Sequence, residues 1–208
     1  MSIILLVGAS GSGKTTIGKE LERYGVKQLV SFTTRPMRDG EMHGVDYHFT
    51  NKEDLVESEL AEISYYNGNT YGLSKHEIES KLAKHNDVYF ITDRNGAKQL
   101  VEMYPDKVKY FWINITIEEM VKRMRQRGDR DEQIIERVEH AIDTGELVYP
   151  EDVDCNIITL DANDSVKDLI WIIALDSYFS AVKFERVAKP IYIKRSDEIT
   201  GSVKEWKK

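Results

Sequence analysis

Cysteine is almost absent from this 208-residue chain. The one thiol, Cys155, excludes an intramolecular disulfide and fits a reducing cytoplasm. It opens an apolar stretch that reads as a buried strand, so packing is its expected role. Long hydrophobic runs are missing too. The longest, Leu169–Leu175, is far too short to span a bilayer. No basic segment precedes the N-terminal apolar stretch, so no signal peptide is expected. Positive charge is in short supply: the net charge of −7 argues against broad nucleic-acid binding. The imbalance is uneven, because residues 183–208 carry a net +4 and residues 1–182 a net −11. Such a basic tail is by default solvated. Internal repeats and low-complexity segments are also lacking. What remains is 41% hydrophobic and 31% charged, an ordinary globular composition with enough chain for one good core or two small ones.

Against that background one segment stands out. Residues 8–16 read Gly-Ala-Ser-Gly-Ser-Gly-Lys-Thr-Thr and follow the apolar run Ile3–Val7. Gly8, Gly13, Lys14 and Thr15 satisfy the phosphate-loop spacing of four free positions before Gly-Lys-Ser/Thr. A strand must feed such a loop and a helix must leave it, because backbone N–H groups at the helix start hold the phosphates. Ile3–Val7 supplies the strand. Thr16–Tyr24 supplies the helix, with Gly25 as its stop. The chain is therefore expected to bind a nucleoside triphosphate through Gly8, Ala9, Ser10, Gly11, Ser12, Gly13, Lys14, Thr15 and Thr16.

Further strands are expected at Val26–Phe32, Asp87–Asp93, Lys109–Ile115 and Cys155–Leu160. Helices are expected at Gly96–Tyr104, from Thr116, and over Ser165–Val182. Thr116 and Glu119 form a capping-box pattern. Ile117, Met120, Val121 and Met124 recur at the helical spacing of a core face. Strand–helix alternation of this kind argues an α/β fold with a parallel sheet covered by helices on both faces.

Two stretches break the rhythm. Residues 33–86 are long enough for an inserted lobe and are rich in Arg, His, Tyr and Gly. Residues 125–137 are almost entirely charged and carry four arginines, either a solvated connection or a mobile lid over phosphates. Within the lobe, Arg35 and Arg38 lie three apart with Tyr47 nine residues on, a set able to surround one phosphate. Glu62 precedes Gly68-Asn69-Thr70-Tyr71-Gly72. A carboxylate there suits guanine, whose N1–H and N2–H₂ are adjacent donors.

These segments, taken in order, resemble guanylate kinase. The resemblance runs from Ile3 to Thr159 and rests on the phosphate loop, Ser31–Glu41, Gly44–Tyr47, Glu62, residues 68–72, Asp93-x-x-Gly96 and Arg125-x-Arg127-Gly128. It implies a P-loop nucleoside monophosphate kinase fold: a core (1–32, 87–124 and 138–182), an inserted GMP-binding lobe (33–86) and an Arg-rich lid (125–137). It implies ATP as donor, GMP or dGMP as acceptor, and Mg²⁺. Ser31, Glu62 and Asp93 would meet guanine. Arg35, Arg38, Tyr47 and Tyr71 would meet the GMP phosphate. Lys14 would reach the ATP β/γ-phosphates and Thr15 the metal. Arg127 and Arg137 would cover the transferring group, and Asn163 would lie at the adenine. Lys14, Arg35, Arg127 and Arg137 are thus the expected catalytic set. The expected setting is a cytoplasmic monomer or homodimer with no membrane or nucleic-acid partner.

Two departures keep rivals open. The family usually carries Asp-x-Asp where this chain has Ile91 before Asp93, so metal binding would rest on Thr15, water and the nucleotide. It also carries Ser or Thr where this chain has Leu73, with Ser74 one place later. A kinase for another small phosphorylated acceptor stays open on those grounds, although Ser31, Glu62 and Asp93 speak against it. A non-catalytic protein-binding module is the other rival, opposed by the intact Gly13-Lys14-Thr15.

Overall fold

The apolar run Ser2–Val7 is buried at all six positions, as a strand covered on both faces must be. It forms β1, the middle of a five-stranded sheet. The structure, a computed structural model, describes residues 1–66 and 68–181. The basic tail, its strand-like piece Lys189–Lys194 and Val182 lie outside the described residues. In chain order the elements are β1 (Ser2–Val7), α1 (Lys14–Arg23), β2 (Lys27–Gln28), β3 (Phe32–Thr33), β4 (His48–Phe49), β5 (Leu60–Tyr66) and β6 (Asn69–Ser74). Then follow α2 (Lys75–Leu82), β7 (Asp87–Thr92), α3 (Arg94–Met103), β8 (Val108–Asn114), α4 (Ile117–Arg127), α5 (Asp131–Asp143), β9 (Ile157–Asp161) and α6 (Val166–Ala181).

The core sheet has the order β2-β7-β1-β8-β9, and its strand pairings are parallel. Two apolar clusters sandwich it. One joins alternate strand residues such as Ile4, Leu6, Tyr89 and Phe111 to side chains of α1, α4, α5 and α6. The other joins Ile3, Leu5, Phe90 and Trp112 to α2 and α3. A second sheet of order β4-β3-β6-β5 arises from the inserted segment. It shares the second cluster through Ala61 and Leu73, so the lobe is rooted in the core.

Local chemistry sets the boundaries. The Thr116 hydroxyl accepts from Glu119 N at 3.2 Å, the expected cap. Gly25 at φ 87° ends the first helix. The run Val26–Phe32 is not one strand. Leu29 N still bonds Tyr89 O in the core, but Ser31 O accepts from His48 N in the lobe. The segment therefore serves two sheets in turn. The last core strand starts at Ile157, after Cys155 N turns back onto Val153 O. Cys155 packs against the second cluster, in keeping with a packing role. The charged stretch 125–137 is helical at both ends, with a turn at 128–130 between α4 and α5. Among the described residues no helix is long and apolar enough to cross a membrane.

The phosphate-loop helix is seated on the sheet through a glycine. A Cβ at Gly18 would stand 2.5 Å from Tyr89 Cε2. Tyr89 is 1% exposed and its hydroxyl donates to Gln28 Oε1 at 3.0 Å, so it has no room to move. Gly18→Ala is therefore expected to destabilise the fold by about 1–3 kcal/mol, lowering Tm by several degrees. A helical Gly→Ala change ordinarily stabilises. A thermal melt showing no loss would contradict this packing.

Candidate active site

The loop after β1 crosses the sheet edge closely. A Cβ at Gly8 would lie 2.6 Å from the Ile113 carbonyl oxygen, which leaves glycine the only residue that fits. Gly13, at φ 99°, caps α1 in the left-handed conformation. Lys14 then turns its ammonium back over the loop, donating to Gly8 O and, at 3.0 Å, to Ala9 O. Burial pushes its pKa down to about 8. Glu146 and Asp93 oppose that shift, while Arg137 and Arg127 add to it. Lys14 thus ties two arginines and two carboxylates electrostatically to the loop. Arg137 reaches it directly, donating to Ser10 Oγ at 3.1 Å. Arg127 is held by Asp129 through two hydrogen bonds, one of them Nε to Oδ1 at 2.9 Å. Thr15 and Thr16 are exposed in the first turn of α1.

The lobe forms a second cluster. Arg35 grips Glu41 in a bidentate pair, with Nη2–Oε1 at 2.7 Å and Nη1–Oε2 at 3.0 Å. Its guanidinium centre lies 5.5 Å from the Tyr47 ring centroid, and the Tyr71 side chain acts on it electrostatically. The Tyr47 and Tyr71 rings meet edge-on at 6.0 Å. Arg38 is exposed at the rim, and its backbone N–H donates to Glu41 at 2.8 Å. The pair to Glu41 is the geometry in which a guanidinium also takes a phosphate.

The base-side candidates meet at the start of α3. Asp93 caps that helix, accepting from Gly96 N at 2.8 Å. Glu62, on β5, is 3% exposed. A Cβ at Gly96 would stand 2.7 Å from Glu62 Oε1 and 2.2 Å from Thr92 Oγ1, so glycine there makes room for the carboxylate. Burial pushes Glu62 up to about 8, Asp93 adds to the rise, and a hydrogen bond with Ser64 opposes it. Leu73, fully buried, is the cross-strand partner of Glu62 and contributes to that dry environment. Ser74 is not a ready replacement hydroxyl, because it caps α2 by accepting from Glu77 N at 3.1 Å. Asp93 acts electrostatically on both Lys14 and Glu62, so it lies between the two clusters. Ser31 sits where the chain passes from one sheet to the other. Asn163 is exposed just past β9, its N–H bonded to Asp161 Oδ1 at 2.8 Å. Ile91 packs with the first apolar cluster and brings no carboxylate to the loop.

Arg123 and Glu146 are among the residues that escaped the sequence reading. Arg123 on α4 donates to Gly11 O at 3.2 Å and to Ala162 O at 2.6 Å, and Glu119 holds its Nε at 2.8 Å. It staples the phosphate loop to the segment beyond β9. Glu146 lies in the turn after α5, where Trp112 Nε1 donates to its carbonyl at 3.3 Å. Trp112 is the register partner of Val7, the residue before Gly8. Burial raises the Glu146 carboxyl, and Lys14 opposes that rise. Neither residue belongs to a local pattern, so only the fold reveals them.

Comparison with known proteins gives one family. The guanylate kinase family model matches residues 1–174. A guanylate kinase of Thermobifida fusca is 33% identical over 183 residues, covering 84% of this chain and 92% of that one. One of Wolinella succinogenes is 36% identical over 182 residues, covering 82% of each. One of Hydrogenovibrio crunogenus is 37% identical over 142 residues, covering 65% of this chain and 69% of that one. The crystal structure of guanylate kinase from Anaplasma phagocytophilum matches with a TM-score of 0.61 at 22% identity, covering 89% of this chain and 87% of that one, a likeness of fold.

Removing the Arg123 staple frees the Gly11 and Ala162 carbonyls and unties the phosphate loop from the segment beyond β9. Arg123→Leu is expected to weaken triphosphate binding by roughly tenfold, about 1.4 kcal/mol, with the circular dichroism spectrum unchanged. A calorimetric titration giving parental affinity would contradict the staple.

Proposed function

The chain belongs to the guanylate kinase family, and from that premise we propose how it transfers the γ-phosphoryl of ATP to GMP or dGMP, releasing ADP and GDP or dGDP. One observation carries the residue assignment. A carboxylate with no cationic partner among the described residues, Glu62, is buried beside Asp93, and Asp93 also acts on Lys14. The base-side carboxylates thus meet at the start of α3, within electrostatic reach of the phosphate-loop lysine at the start of α1.

In this reading Lys14 and the backbone N–H groups of residues 8–16 hold the donor phosphates. Asn163 and its neighbours lie at the adenine. Arg35, Arg38, Tyr47 and Tyr71 take the acceptor phosphate, with Arg35 exchanging Glu41 for it. Ser31, Glu62 and Asp93 take guanine, Glu62 accepting from N1–H and N2–H₂ together. Arg127 and Arg137 cover the transferring group, Arg127 leaving Asp129 as it does so. The acceptor oxygen is already anionic, so no strong general base is needed. The residues align two charged substrates and screen their repulsion. Closure of the segment 125–137 excludes water and limits hydrolysis of ATP.

The donor set fits Mg²⁺, which keeps several waters and takes few protein ligands. The Thr15 hydroxyl is exposed beside Lys14, and Asp93 and Glu146 both act on that lysine. Thr15 would hold the ion with the nucleotide phosphates, the carboxylates reaching it through water. When bound, the ion neutralises charge between the β- and γ-phosphates. The division into core, lobe (33–86) and lid (125–137) belongs to the same proposal. So do a cytoplasmic setting, in keeping with the single cysteine, and action as a monomer or homodimer.

Two measurements test these assignments. Lys14→Ala is expected to lower kcat by ~10²-fold or more with an unchanged melting curve; near-normal turnover would refute its role. Glu62→Ala should damage GMP use while leaving ATP binding intact, and equal damage to both would remove Glu62 from the base.

The pH dependence follows from burial. With its pKa at about 8, Glu62 is protonated at neutral pH in the empty site. Guanine offers two donors and so binds the ionised carboxylate better. The preference for GMP over IMP, which lacks the N2 amine, should therefore rise with pH through about 8. Both nucleotides carry the same phosphate, so its titration cancels in the ratio. A ratio of kcat/KM values that falls with pH, or a rise that persists unchanged in Glu62→Gln, would contradict the assignment.

A further inference from the structure

β5 is an outer strand of the lobe sheet. An outer strand leaves backbone N–H and C=O groups facing away from its neighbour, and each needs a partner. At Ile63, the residue after Glu62, a single side chain supplies both. Gln99 Oε1 accepts from Ile63 N at 3.0 Å, and Gln99 Nε2 donates to Ile63 O at 3.0 Å. The amide thus acts as one rung of an added strand, offered by α3. A primary amide suits this because it presents an acceptor and a donor side by side.

The placement along α3 gives the rung its consequence. Asp93, Gly96 and Gln99 recur every three residues, which aligns them along one side of the helix start. Gly96 receives the Glu62 carboxylate, and Gln99 clamps the next residue's backbone. A cavity of about 340 Å³ opens beside the clamp, lined in part by Leu60, Gln99, Glu102 and Met103. Water entering from it would compete for the Ile63 backbone if the amide were lost.

We propose that Gln99 is a positioning residue for base selectivity: its double hydrogen bond to Ile63 fixes β5 on α3 and so holds Glu62 at the distance guanine requires. Glu62 is thereby registered to the core rather than to the arginine-bearing part of the lobe. This rests on the reading of Glu62 as the guanine contact, and the test separates the two.

Gln99→Met keeps length and volume but removes both hydrogen bonds. Two readouts are needed. In amide hydrogen exchange the Ile63 N–H, protected in the parent, should exchange at least tenfold faster in the variant. In steady-state kinetics the KM for GMP should rise about tenfold and the preference for GMP over IMP should fall, with kcat at saturation and the KM for ATP within twofold of the parent. Gln99→Asn, too short to span both groups, should show the same pattern if Gln99→Met folds poorly. Unchanged Ile63 exchange overturns the clamp. Faster exchange with an unaltered GMP-to-IMP preference overturns its role in selectivity. A parent enzyme that does not distinguish GMP from IMP overturns the guanine reading of Glu62, and the selectivity role with it, while the exchange result still decides the clamp.

Discussion

The seat of β5 against the start of α3 is the constraint on which the acceptor side of the site depends. Position 96 has no room for a Cβ, because Thr92 and the Glu62 carboxylate already occupy that space. The close approach buries Glu62 next to Asp93, and Asp93 in turn lies within electrostatic reach of Lys14. Three strands feed this arrangement: β1 leads to the phosphate loop, β7 leads into Asp93, and β5 carries Glu62. Parallel strands deliver their C-terminal ends to one rim of the sheet, which is why the donor loop and the start of α3 are neighbours.

Charge is handled differently on the two sides. Lys14 is desolvated and rests on two backbone carbonyls, so its site is short of compensating negative charge. In the proposed reading an anionic donor would supply what is missing. The arginines instead carry carboxylates of their own, Glu41 for Arg35 and Asp129 for Arg127. Arg35 has a side chain only 10% exposed, and burying a guanidinium without a partner would be costly. In the proposed reading, phosphate binding on these arginines would therefore be an exchange of one oxyanion for another. That favours a site which is ordered before substrate arrives.

Much of this was legible in the chain. The phosphate loop, the Thr116 cap and the alternation of strands and helices are local patterns, and local patterns survive without knowledge of the fold. Glu62, Asp93, Arg35, Tyr47 and Tyr71 were legible as a resemblance, and the structure brings them into two adjoining clusters. The misread boundaries have physical causes. Val26–Phe32 spaces Val26, Leu29, Val30 and Phe32 among Lys27, Gln28 and Ser31, and it serves the core sheet and then the lobe sheet, a handover that a hydropathy pattern does not mark. The stretch 125–137, read as a solvated connection or a lid, keeps its charges on exposed helix faces, and Gly128 in the left-handed conformation marks the turn between the two helices. Arg123 was invisible because it acts on Gly11, 112 residues away in sequence. Gln99 and Glu146 were invisible for the same reason.

The central claim is that phosphoryl transfer is selective for a guanine nucleotide. The direct measurement is ADP release from ATP with GMP, dGMP, AMP, CMP, UMP and dTMP offered separately as acceptors. The account predicts turnover with GMP and dGMP that far exceeds the rest. Equal turnover across the set, preference for a non-guanine acceptor, or no transfer to any of them would contradict it.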